Sequence, residues 1–469
     1  MDSRHSMRKV SGLLLATERR AITGLASLYA TRMLGLFMVL PVLALYADEL
    51  AGATPLLIGL ALGVYGLTQA ILQIPFGLLS DRVGRKPVIA GGLLLFLLGS
   101  VVAAGADTIG GVILGRCLQG SGAVAAAIMA LLADQTREQV RTAAMATIGL
   151  SIGVAFAVAM VLGPWLAASF GLSSVFWFTA MLAAVGILVL WKLVPPAPRR
   201  MRHRDVGIDR QQLKVILTRA DLWRLDLSIF ALHLVLMAIF VAVPFRLLEA
   251  GIGAERHGLT YLGIMLLAFL CMVPLVVLAE KRQRMKDMCL LAIGAIAVSL
   301  AGLAGIGTGA WALFAWLLLF FTAFNLLEAT LPSMLSKLAP AGAKGTAMGV
   351  YSTSQFLGAF LGGLLGGFLA QQWGLPAVFV GSALLAGIWW LLMLGMPAPP
   401  HLSSEVVELD EDQQDDALDT LMASFAEVAG VEDVLVVPEE RLAYLKVDRR
   451  RLDRDALARL VRPDQDRGN

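Results

Sequence analysis

Apolar residues fill the chain up to residue 396 in long segments that short polar connections separate. A helix rises about 1.5 Å per residue, so about 20 apolar residues cross the hydrocarbon layer of a bilayer. The pattern therefore predicts twelve transmembrane helices, which we call spans 1 to 12. Their predicted ranges are 22–47, 57–79, 87–105, 109–133, 143–169, 173–194, 223–248, 257–279, 287–307, 310–336, 345–371 and 376–396.

The composition also indicates a membrane protein. Hydrophobic residues make up 58% of the 469 residues and charged residues only 16%, with a mean hydropathy of +0.76. Soluble domains carry about 25% charged residues. No G-x-x-x-x-G-K-[ST] loop is present, which excludes an ATP-driven pump, and no Ser/His/Asp cluster indicates an enzyme. Cys117, Cys271 and Cys289 lack metal-ligand spacing, so we expect neither a metal nor an organic cofactor.

The connections on one side of the predicted membrane carry nearly all the lysine and arginine residues between spans. They include Arg82, Arg85, Lys86, Arg137, Arg141, Lys281, Arg282, Arg284, Lys286, Lys337 and Lys344. Cytoplasmic connections are enriched in these residues, so we expect both termini in the cytoplasm. The longest connection, 195–222, is basic and divides the spans into two groups of six.

The two groups of six spans repeat the same local features. Phe37-x-x-x-Pro41 in span 1 matches Phe240-x-x-x-Pro244 in span 7. Ile74-Pro75-Phe76 in span 2 matches Val273-Pro274-Leu275 in span 8, again roughly 200 residues later. Parallel repeats of this kind enclose a central cavity between two bundles. We therefore predict an all-α membrane protein made of two six-helix repeats.

Residues 401–469 differ from the rest of the chain, because no segment there is apolar enough to cross a membrane. The apolar patterns predict the order β-α-β-β-α, which indicates a small α/β ferredoxin-like domain in the cytoplasm. The predicted elements are strands at 404–409, 434–437 and 442–447 and helices at 414–428 and 454–461. The predicted domains are thus 1–194, the cytoplasmic loop 195–222, 223–396 and 401–469.

Ionisable side chains inside predicted spans include Arg32 in span 1, Arg116 in span 4, His233 in span 7 and Glu328 in span 10. Such residues are costly in a bilayer and mark ion or substrate pathways. We predict that Glu328 binds and releases the coupling proton, and that His233 or Arg32 biases its affinity. The alternative is a structural pair that closes the bundle, in which Glu328 never titrates.

The turn between spans 2 and 3 reads Gly77-Leu78-Leu79-Ser80-Asp81-Arg82-Val83-Gly84-Arg85-Lys86. It resembles motif A of the major facilitator superfamily, a loop of the form G-x-L-a-D-r-x-G-r-k. We expect Asp134, at the inner end of span 4, to meet Arg85, and Asp81 to approach the positive N-terminus of span 11. These contacts would latch the two bundles together on the cytoplasmic side. The predicted latch residues are Gly77, Asp81, Arg82, Gly84, Arg85, Lys86 and Asp134; a generic basic turn and a solvated Asp134 are the alternatives.

Two further segments resemble motifs of the same superfamily. Gly115–Ala123, which contains Arg116, resembles motif B, and the resemblance implies that this buried cation takes part in proton coupling. A second set in span 5 resembles motif C of the antiporter branch: Gly149, Gly153, Gly163 and Pro164. The match is partial, because Trp165-Leu166-Ala167-Ala168 follows where the family pattern prefers glycines. Close helix packing through small residues explains the same glycines.

Over its whole length the chain resembles the YajR-type branch of this superfamily. The similarity rests on Arg32–Pro41 in span 1, on motif A, on Ala279-Glu280 with Arg284-Met285-Lys286 after span 8, and on the small C-terminal domain. The resemblance implies a proton-driven efflux transporter of the bacterial inner membrane. It thereby adds the family and the coupling ion, while span number, orientation and repeats follow from the residues themselves.

We predict a secondary transporter that exports small amphiphilic or drug-like molecules in exchange for protons by alternating access. Its expected partners are a small-molecule substrate and the lipid bilayer, not nucleic acid, and we expect a monomer. The residues predicted to line the cavity are Gln69, Gln73, Asn325, Tyr351 and Gln355. Few polar groups suit apolar or cationic compounds better than sugars. Proton-coupled uptake of a small metabolite and a membrane sensor that acts through its C-terminal domain remain alternatives.

Overall fold

The computed structural model of the protein describes residues 14–196, 214, 216–305, 309–340, 344–397, 402–408, 422–437, 442–448 and 451–461. In this part of the chain, twelve helices are long and apolar enough to cross a membrane, which confirms the predicted number. Spans 1 to 6 are Ala16–Met38, Pro55–Val83, Arg85–Ala104, Ile109–Asp134, Glu138–Phe170 and Leu172–Lys192. Spans 7 to 12 are Ala220–Phe240, Ala254–Lys281, Met285–Gly305, Ala310–Leu338, Lys344–Trp373 and Leu375–Leu394. Most of the predicted loop 195–222 lies outside the described residues.

Spans 1 and 7 are shorter than the sequence predicts. The predicted ranges 22–47 and 223–248 run through a break, because the helices end at Met38 and Phe240 and short helices follow at Leu43–Tyr46 and Val243–Glu249. Pro41 and Pro244 lie in or just after these breaks, and proline neither donates a backbone hydrogen bond nor fits a helix interior. Pro41 and Pro244 therefore occupy equivalent positions in the two repeats. The broken segments are buried in protein, where irregular backbone is tolerated.

Span 4 also contains a break that the sequence pattern did not show. It consists of two helices, Ile109–Ser121 and Ala125–Asp134. Gly122 ends the first helix, and its backbone N–H donates to the carbonyl of Gln119 over 3.2 Å. The apolar pattern hides this break because Gly122, Ala123 and Val124 are all buried.

A row of glycines holds spans 2 and 11 in contact near the start of span 2. A Cβ atom at Gly63 would lie 3.1 Å from the Cα of Phe360 and would overlap the carbonyl oxygen of that residue. Gly59 meets the backbone of Gly363 in the same manner. Only residues without a side chain allow two backbones to come this close, as is common in membrane helices. We call this contact between Gly59–Gly66 and Phe356–Gly367 the glycine seal.

The opposite ends of the same two helices are apart. Gly349 and Gly345 lie seven and eleven residues before Phe356, so they continue the face of span 11 that forms the glycine seal. A Cβ atom at either position would have nothing within 4 Å. Spans 5 and 8 show the same difference between their two ends. Gly258 packs on the backbone of Val161, whereas a Cβ atom at Gly149 would have nothing within 4 Å. The two bundles therefore close at one end and open at the end that carries the Asp81–Arg85 turn.

The C-terminal segment forms a small sheet of three antiparallel strands: β1 (Leu402–Glu408), β2 (Val431–Val437) and β3 (Leu442–Asp448), in the order β1-β3-β2. Val447 of β3 pairs with Ser403 of β1 and with Val431 of β2. A helix follows at Arg454–Val461, and Phe425, Leu445 and Leu457 share the apolar core. This strand order fits the predicted arrangement. The ferredoxin-like fold stays a prediction, because residues 409–421, where most of the first helix is predicted, lie outside the described part.

The glycine seal generates a test of the conformation. Gly63→Ala places a methyl group against the Phe360 backbone, and overpacking of this kind costs about 1–3 kcal/mol. The variant should therefore shift the population away from the conformation described here by roughly fivefold or more. Distances between spin labels on spans 2 and 11, obtained by electron–electron double resonance, would measure the shift. Gly349→Ala is the control, and equal distances in the two variants would contradict the role of the seal.

Candidate functional site

The turn between spans 2 and 3 joins three helices through one arginine. Gly84 has φ +110°, a backbone conformation that favours glycine, and it lets span 3 begin directly after span 2. Arg85 pairs with Asp81 over 2.5 Å, and its Nε lies 3.3 Å from Oδ2 of Asp134 at the end of span 4. Arg85 also donates to the Ser80 hydroxyl over 2.6 Å. The Arg85–Asp134 contact expected from the sequence is thus present.

The other predicted latch residues occupy different positions in the same turn. Lys86 donates to the carbonyl of Val194 over 2.6 Å and so ties span 3 to the end of span 6. Arg82 is exposed. Gly77 faces Ala126 at an ordinary packing distance of 3.7 Å from a Cβ atom built on it. The predicted approach of Asp81 to the N-terminus of span 11 stays a prediction.

A buried carboxylate near the start of span 1 adds a second clamp that sequence reasoning missed. Glu18 accepts from Nε and Nη2 of Arg137 over 2.8 and 3.0 Å, and from the backbone N–H groups of Arg137 and Leu15 over 3.1 and 2.9 Å. This hydrogen bonding to Glu18 raises the pKa of Arg137. A bidentate pair of this kind fixes the start of span 1 to the connection between spans 4 and 5.

Arg32 lies in the middle of the N-terminal bundle and is 2% exposed. Its Nη2 lies 2.6 Å from the hydroxyl of Tyr65 and 2.7 Å from Oε1 of Gln69. The same nitrogen is 3.2 Å from the carbonyl of Gly122, which also accepts from the backbone N–H of Val124 over 2.8 Å in the break of span 4. Its Nε and Nη1 are buried and have no hydrogen-bond partner. Neutral oxygens therefore hold this cation, and none of the described ion pairs contains it.

Arg116 is fully buried next to Arg32 and is held in the same way. It donates to the carbonyl of Ala61 over 3.2 Å and to Oε1 of Gln119 over 2.9 Å. Gln119 in turn donates to Ser100 over 2.8 Å. The guanidinium groups of Arg32 and Arg116 lie 5.8 and 5.1 Å from the centre of the Tyr65 ring. The tyrosine thus links two buried cations through cation–π contacts.

The C-terminal bundle carries the opposite charge. Nε2 of His233 lies 3.5 Å from Oε1 of Glu328 and 2.8 Å from the amide nitrogen of Gln355. Nδ1 of His233 lies 3.2 Å from the carbonyl of Ile229. This geometry assigns the proton of the neutral ring to Nδ1 and leaves Nε2 as the acceptor for Gln355. Protonation of Nε2 would give Glu328 a donor, so the charge states of the two residues are linked.

Glu328 has one side in the cavity and one side in the bundle. Its side chain is 33% exposed, whereas its Oε1 is buried and has no hydrogen-bond partner. Asn325, one turn earlier on span 10, is buried with an unpartnered amide nitrogen. The side chain is therefore partly accessible, while its buried Oε1 lacks the donors that would stabilise the ionised form.

Tyr351 and Asp226 add two more buried polar groups to this bundle. Tyr351 is 3% exposed, and its hydroxyl has no hydrogen-bond partner. Asp226 is 9% exposed, and its Oδ1 is likewise unpartnered. Sequence reasoning missed Asp226, although an acidic residue inside a predicted span is the signal that identified Glu328.

Aromatic rings close the cavity on the side of the glycine seal. Phe37 of span 1 meets Phe156 of span 5 edge to face at 4.9 Å, and Phe156 contacts Phe321 of span 10 at 6.5 Å. Phe324, next along the same cluster, lies 6.0 Å from the His233 ring. The cluster bridges the two bundles, because Phe156 and Phe321 belong to different halves. It separates the His233–Glu328 pair from the closed end.

The remaining predicted residues are three glutamines expected to line the cavity and the residues of span 5 that resemble motif C. Gln69 and Gln73 are buried in the wall beside Arg32, whereas Gln355 is half-buried beside His233. Of the motif C residues, Gly163 packs on the backbone of Met38 in span 1, and Pro164 next to it is buried. Gly153 faces the Phe269 ring at 3.7 Å. Gly163 and Gly153 therefore contact spans 1 and 8, whereas a Cβ atom at Gly149 would have nothing within 4 Å.

Comparisons with known proteins agree with this architecture. The sequence profile of the Major Facilitator Superfamily matches residues 25–363 and 334–443. The chain is 48% identical over 446 residues to the inner membrane transport protein YajR of Escherichia coli (strain K12), covering 95% of this chain and 98% of that protein. It is 26% identical over 322 residues to the multidrug resistance protein MdtH of Aeromonas salmonicida (strain A449), covering 68% and 79%. The crystal structure of a bacterial homologue of the lysosomal transporter Spinster superposes with a TM-score of 0.67 at 14% identity, covering 81% of this chain and 97% of that one.

The Arg32 environment generates a stability test. Gln69→Leu removes the oxygen 2.7 Å from the buried guanidinium and should lower stability by about 1–3 kcal/mol, the cost of an unsatisfied buried charge partner. Thermal unfolding of the purified protein would measure the loss. Gln371→Leu is the control, because its bond to the backbone N–H of Leu56 is exposed. If both variants unfold at the temperature of the unmodified protein, Gln69 does not stabilise Arg32.

Proposed function

This chain belongs to the Major Facilitator Superfamily, and from that membership we propose a secondary transporter that carries a small molecule across the inner membrane by alternating access. The similarity to an inner membrane transport protein over 95% of the chain supports both the activity and the membrane. The expected arrangement is a monomer in the lipid bilayer, with no cofactor besides the coupling proton. The C-terminal segment is proposed to be a ferredoxin-like domain on the cytoplasmic side.

The distribution of charge supports an orientation and hence a conformational state. The Asp81–Arg85 turn and the other basic connections lie at the open end of the bundles, and such connections are cytoplasmic in most membrane proteins. In that orientation the cavity faces the cytoplasm and the glycine seal faces outward. The structure then represents the inward-open state of the cycle.

Proton coupling is proposed to occur at Glu328, and one observation carries this proposal. The Glu328 side chain is 33% exposed, yet its Oε1 is buried without a hydrogen-bond partner, 3.5 Å from Nε2 of His233. An ionised carboxylate held this way is costly in a membrane, and binding a proton removes the cost. Arg32 and Arg116 contribute fixed positive charge in the opposite bundle, so the field across the cavity depends on the charge of Glu328.

The proposed cycle is antiport, with export of small amphiphilic or drug-like molecules. The aromatic cluster of Phe37, Phe156 and Phe321 and the small number of polar groups in the wall favour apolar or cationic compounds. The partial motif C and the similarity to a multidrug resistance protein support the same direction. The same fold can also support proton-coupled uptake, and the direction of proton movement distinguishes uptake from export.

Everted membrane vesicles provide the test of coupling. Respiration acidifies the vesicle interior, and a panel of amphiphilic cations, sugars and organic acids is then added. An antiporter should release protons with one of these classes, and Glu328→Gln should abolish the release because the amide cannot bind a proton. A pH-sensitive dye inside the vesicles reports the recovery.

The control for this experiment is Glu255→Gln. This variant makes the same chemical change at the start of span 8, where the Glu255 side chain is 69% exposed. The control should keep the full dye response. A full response in Glu328→Gln would exclude Glu328 as the coupling site, and no response to any compound in the unmodified protein would favour uptake or sensing.

The motif A turn generates a second test. We propose that Asp81 docks on the positive N-terminus of span 11 when the cytoplasmic side closes, a contact worth about 0.3–2 kcal/mol. Asp81→Asn should therefore shift the population toward the inward-open state by a few fold. Disulfide crosslinking between cysteines in the turn and at the start of span 11 would measure the shift. The control is Asp287→Asn, which changes an exposed acidic residue at the start of span 9. Equal crosslinking in the two variants would contradict the proposed latch.

A further inference from the structure

The two repeats carry a matching contact where their last helix ends. Lys86, at the start of span 3, donates to the carbonyl of Val194, just after span 6, over 2.6 Å. Lys286, at the start of span 9, donates to the carbonyl of Leu394, the last residue of span 12, over 3.0 Å. The two contacts are equivalent, since both residues of the second lie roughly 200 residues after those of the first. The start of span 9 therefore lies beside the point where the chain leaves span 12.

The charges next to these lysines differ between the repeats. In the first repeat Arg85, directly before Lys86, pairs with Asp134 at the inner end of span 4. In the second repeat the corresponding residues are Met285 and Lys337, and Nζ of Lys337 lies 3.2 Å from the Met285 sulfur. A lysine thus replaces the acidic residue of the first repeat. The turn between spans 8 and 9 has gained positive charge where the turn between spans 2 and 3 has an ion pair.

We call residues 281–286, where spans 8 and 9 connect, the basic turn. Four of its six residues are cations: Lys281, Arg282, Arg284 and Lys286. Lys281 and Arg282 are exposed, and the Arg284 side chain is 66% exposed. The Nε of Arg284 lies 3.8 Å from Oδ2 of Asp287, and an exposed pair of this kind contributes little stability. The basic turn therefore presents a positive surface at the open end of the bundles.

The C-terminal segment divides its charge into two halves. Residues 402–440, which we call the acidic half, contain thirteen aspartate and glutamate residues and no lysine or arginine. Residues 441–469 contain nine lysine and arginine residues and five acidic ones. Strands β1 and β2 belong to the acidic half, and they form the two edges of the described sheet around the central strand β3. The acidic residues of these strands thus lie at the margins of the sheet.

The chain connects these two opposite charges over a short distance. Lys286 of the basic turn holds Leu394, and β1 begins at Leu402, eight residues later. Eight residues reach at most about 26–29 Å when fully extended. A partner tethered this closely has an effective concentration in the millimolar range, so individually weak ion pairs are sufficient to bind it. The acidic half therefore starts within reach of the basic turn.

We propose that the basic turn is a docking surface for the acidic half of the C-terminal segment of the same chain. Opposite charge and the short connection from span 12 favour this occupant over a second copy of the chain or an anionic lipid headgroup. Docking would attach the C-terminal segment to spans 8 and 9, and hence to the C-terminal bundle. The proposal is independent of the coupling site and of the direction of transport.

Carbodiimide crosslinking of the full chain in phospholipid vesicles tests the docking. The reagent joins a lysine amine to a carboxyl group as an amide, with loss of water, only where the two groups are in contact. In vesicles of phosphatidylethanolamine and phosphatidylglycerol, we expect mass spectrometry to find a crosslink within one chain between Lys281 and the acidic half. Raising the salt from about 0.1 M to about 1 M should lower the yield at least roughly threefold, because the screening length falls from about 10 Å to about 3 Å.

Two double variants separate this surface from a general effect of charge. Arg282→Gln combined with Arg284→Gln keeps the reactive Lys281 but removes two neighbouring cations, so the yield should fall at least roughly threefold. Arg19→Gln combined with Arg20→Gln is the control, because it removes two exposed cations at the inner end of span 1. The yield of the crosslink should stay unchanged in this control.

Several results would overturn the proposal. They are the absence of the crosslink, equal yields in the two double variants, and a crosslink to Lys192 or Lys214 of the connection between spans 6 and 7 in place of Lys281. A crosslink that joins two chains would assign the surface to a second copy. A crosslink that forms in phosphatidylcholine vesicles but is lost when phosphatidylglycerol is present would assign the surface to anionic lipid.

Discussion

A bilayer offers no hydrogen-bond partner to a polar group, and this constraint determines where the chain leaves its helices and where it holds charge. The three breaks, after Met38, at Gly122 and after Phe240, are all enclosed by protein. One of them contributes directly to the site, because the carbonyl of Gly122 accepts from the guanidinium of Arg32 as well as from the N–H of Val124. An interruption that would be costly in lipid therefore becomes part of the support for a buried cation.

The two bundles resolve the same constraint in opposite ways. In the N-terminal bundle, carbonyl, amide and hydroxyl oxygens accept from Nη2 of Arg32 and from Arg116, and arginine cannot release its proton at any physiological pH. In the C-terminal bundle, Glu328 and Asp226 lack such partners, but a carboxyl group can become neutral by binding a proton. Fixed charge on one side and adjustable charge on the other give the cavity a field that protonation can change.

The sequence predicts the parts of this structure that repeat regularly. Span number follows from apolar length, and the Arg85–Asp134 and His233–Glu328 contacts follow from charges that have few other partners in or near a membrane. The breaks in spans 1, 4 and 7 were missed, because an apolar window averages over a short turn. Tyr65, Gln119 and Ser100 carry no sequence signal, since a buried polar side chain acquires its role only from the helix opposite.

The proposed proton coupling requires that proton binding alter the balance between two packings, and the contacts of span 11 bear on this requirement. The glycine seal lets spans 2 and 11 meet at one end, while span 11 also packs through Gly358 and Gly362 on span 7, the helix of His233 and Asp226. Span 11 itself carries Gln355, whose amide nitrogen lies 2.8 Å from Nε2 of His233, the neighbour of Glu328. In the proposed coupling, a change of charge at Glu328 would therefore act through His233 on the helix that forms the seal. Rigid helices with backbone contacts transmit such a change over their whole length, because close-packed interfaces have few intermediate arrangements.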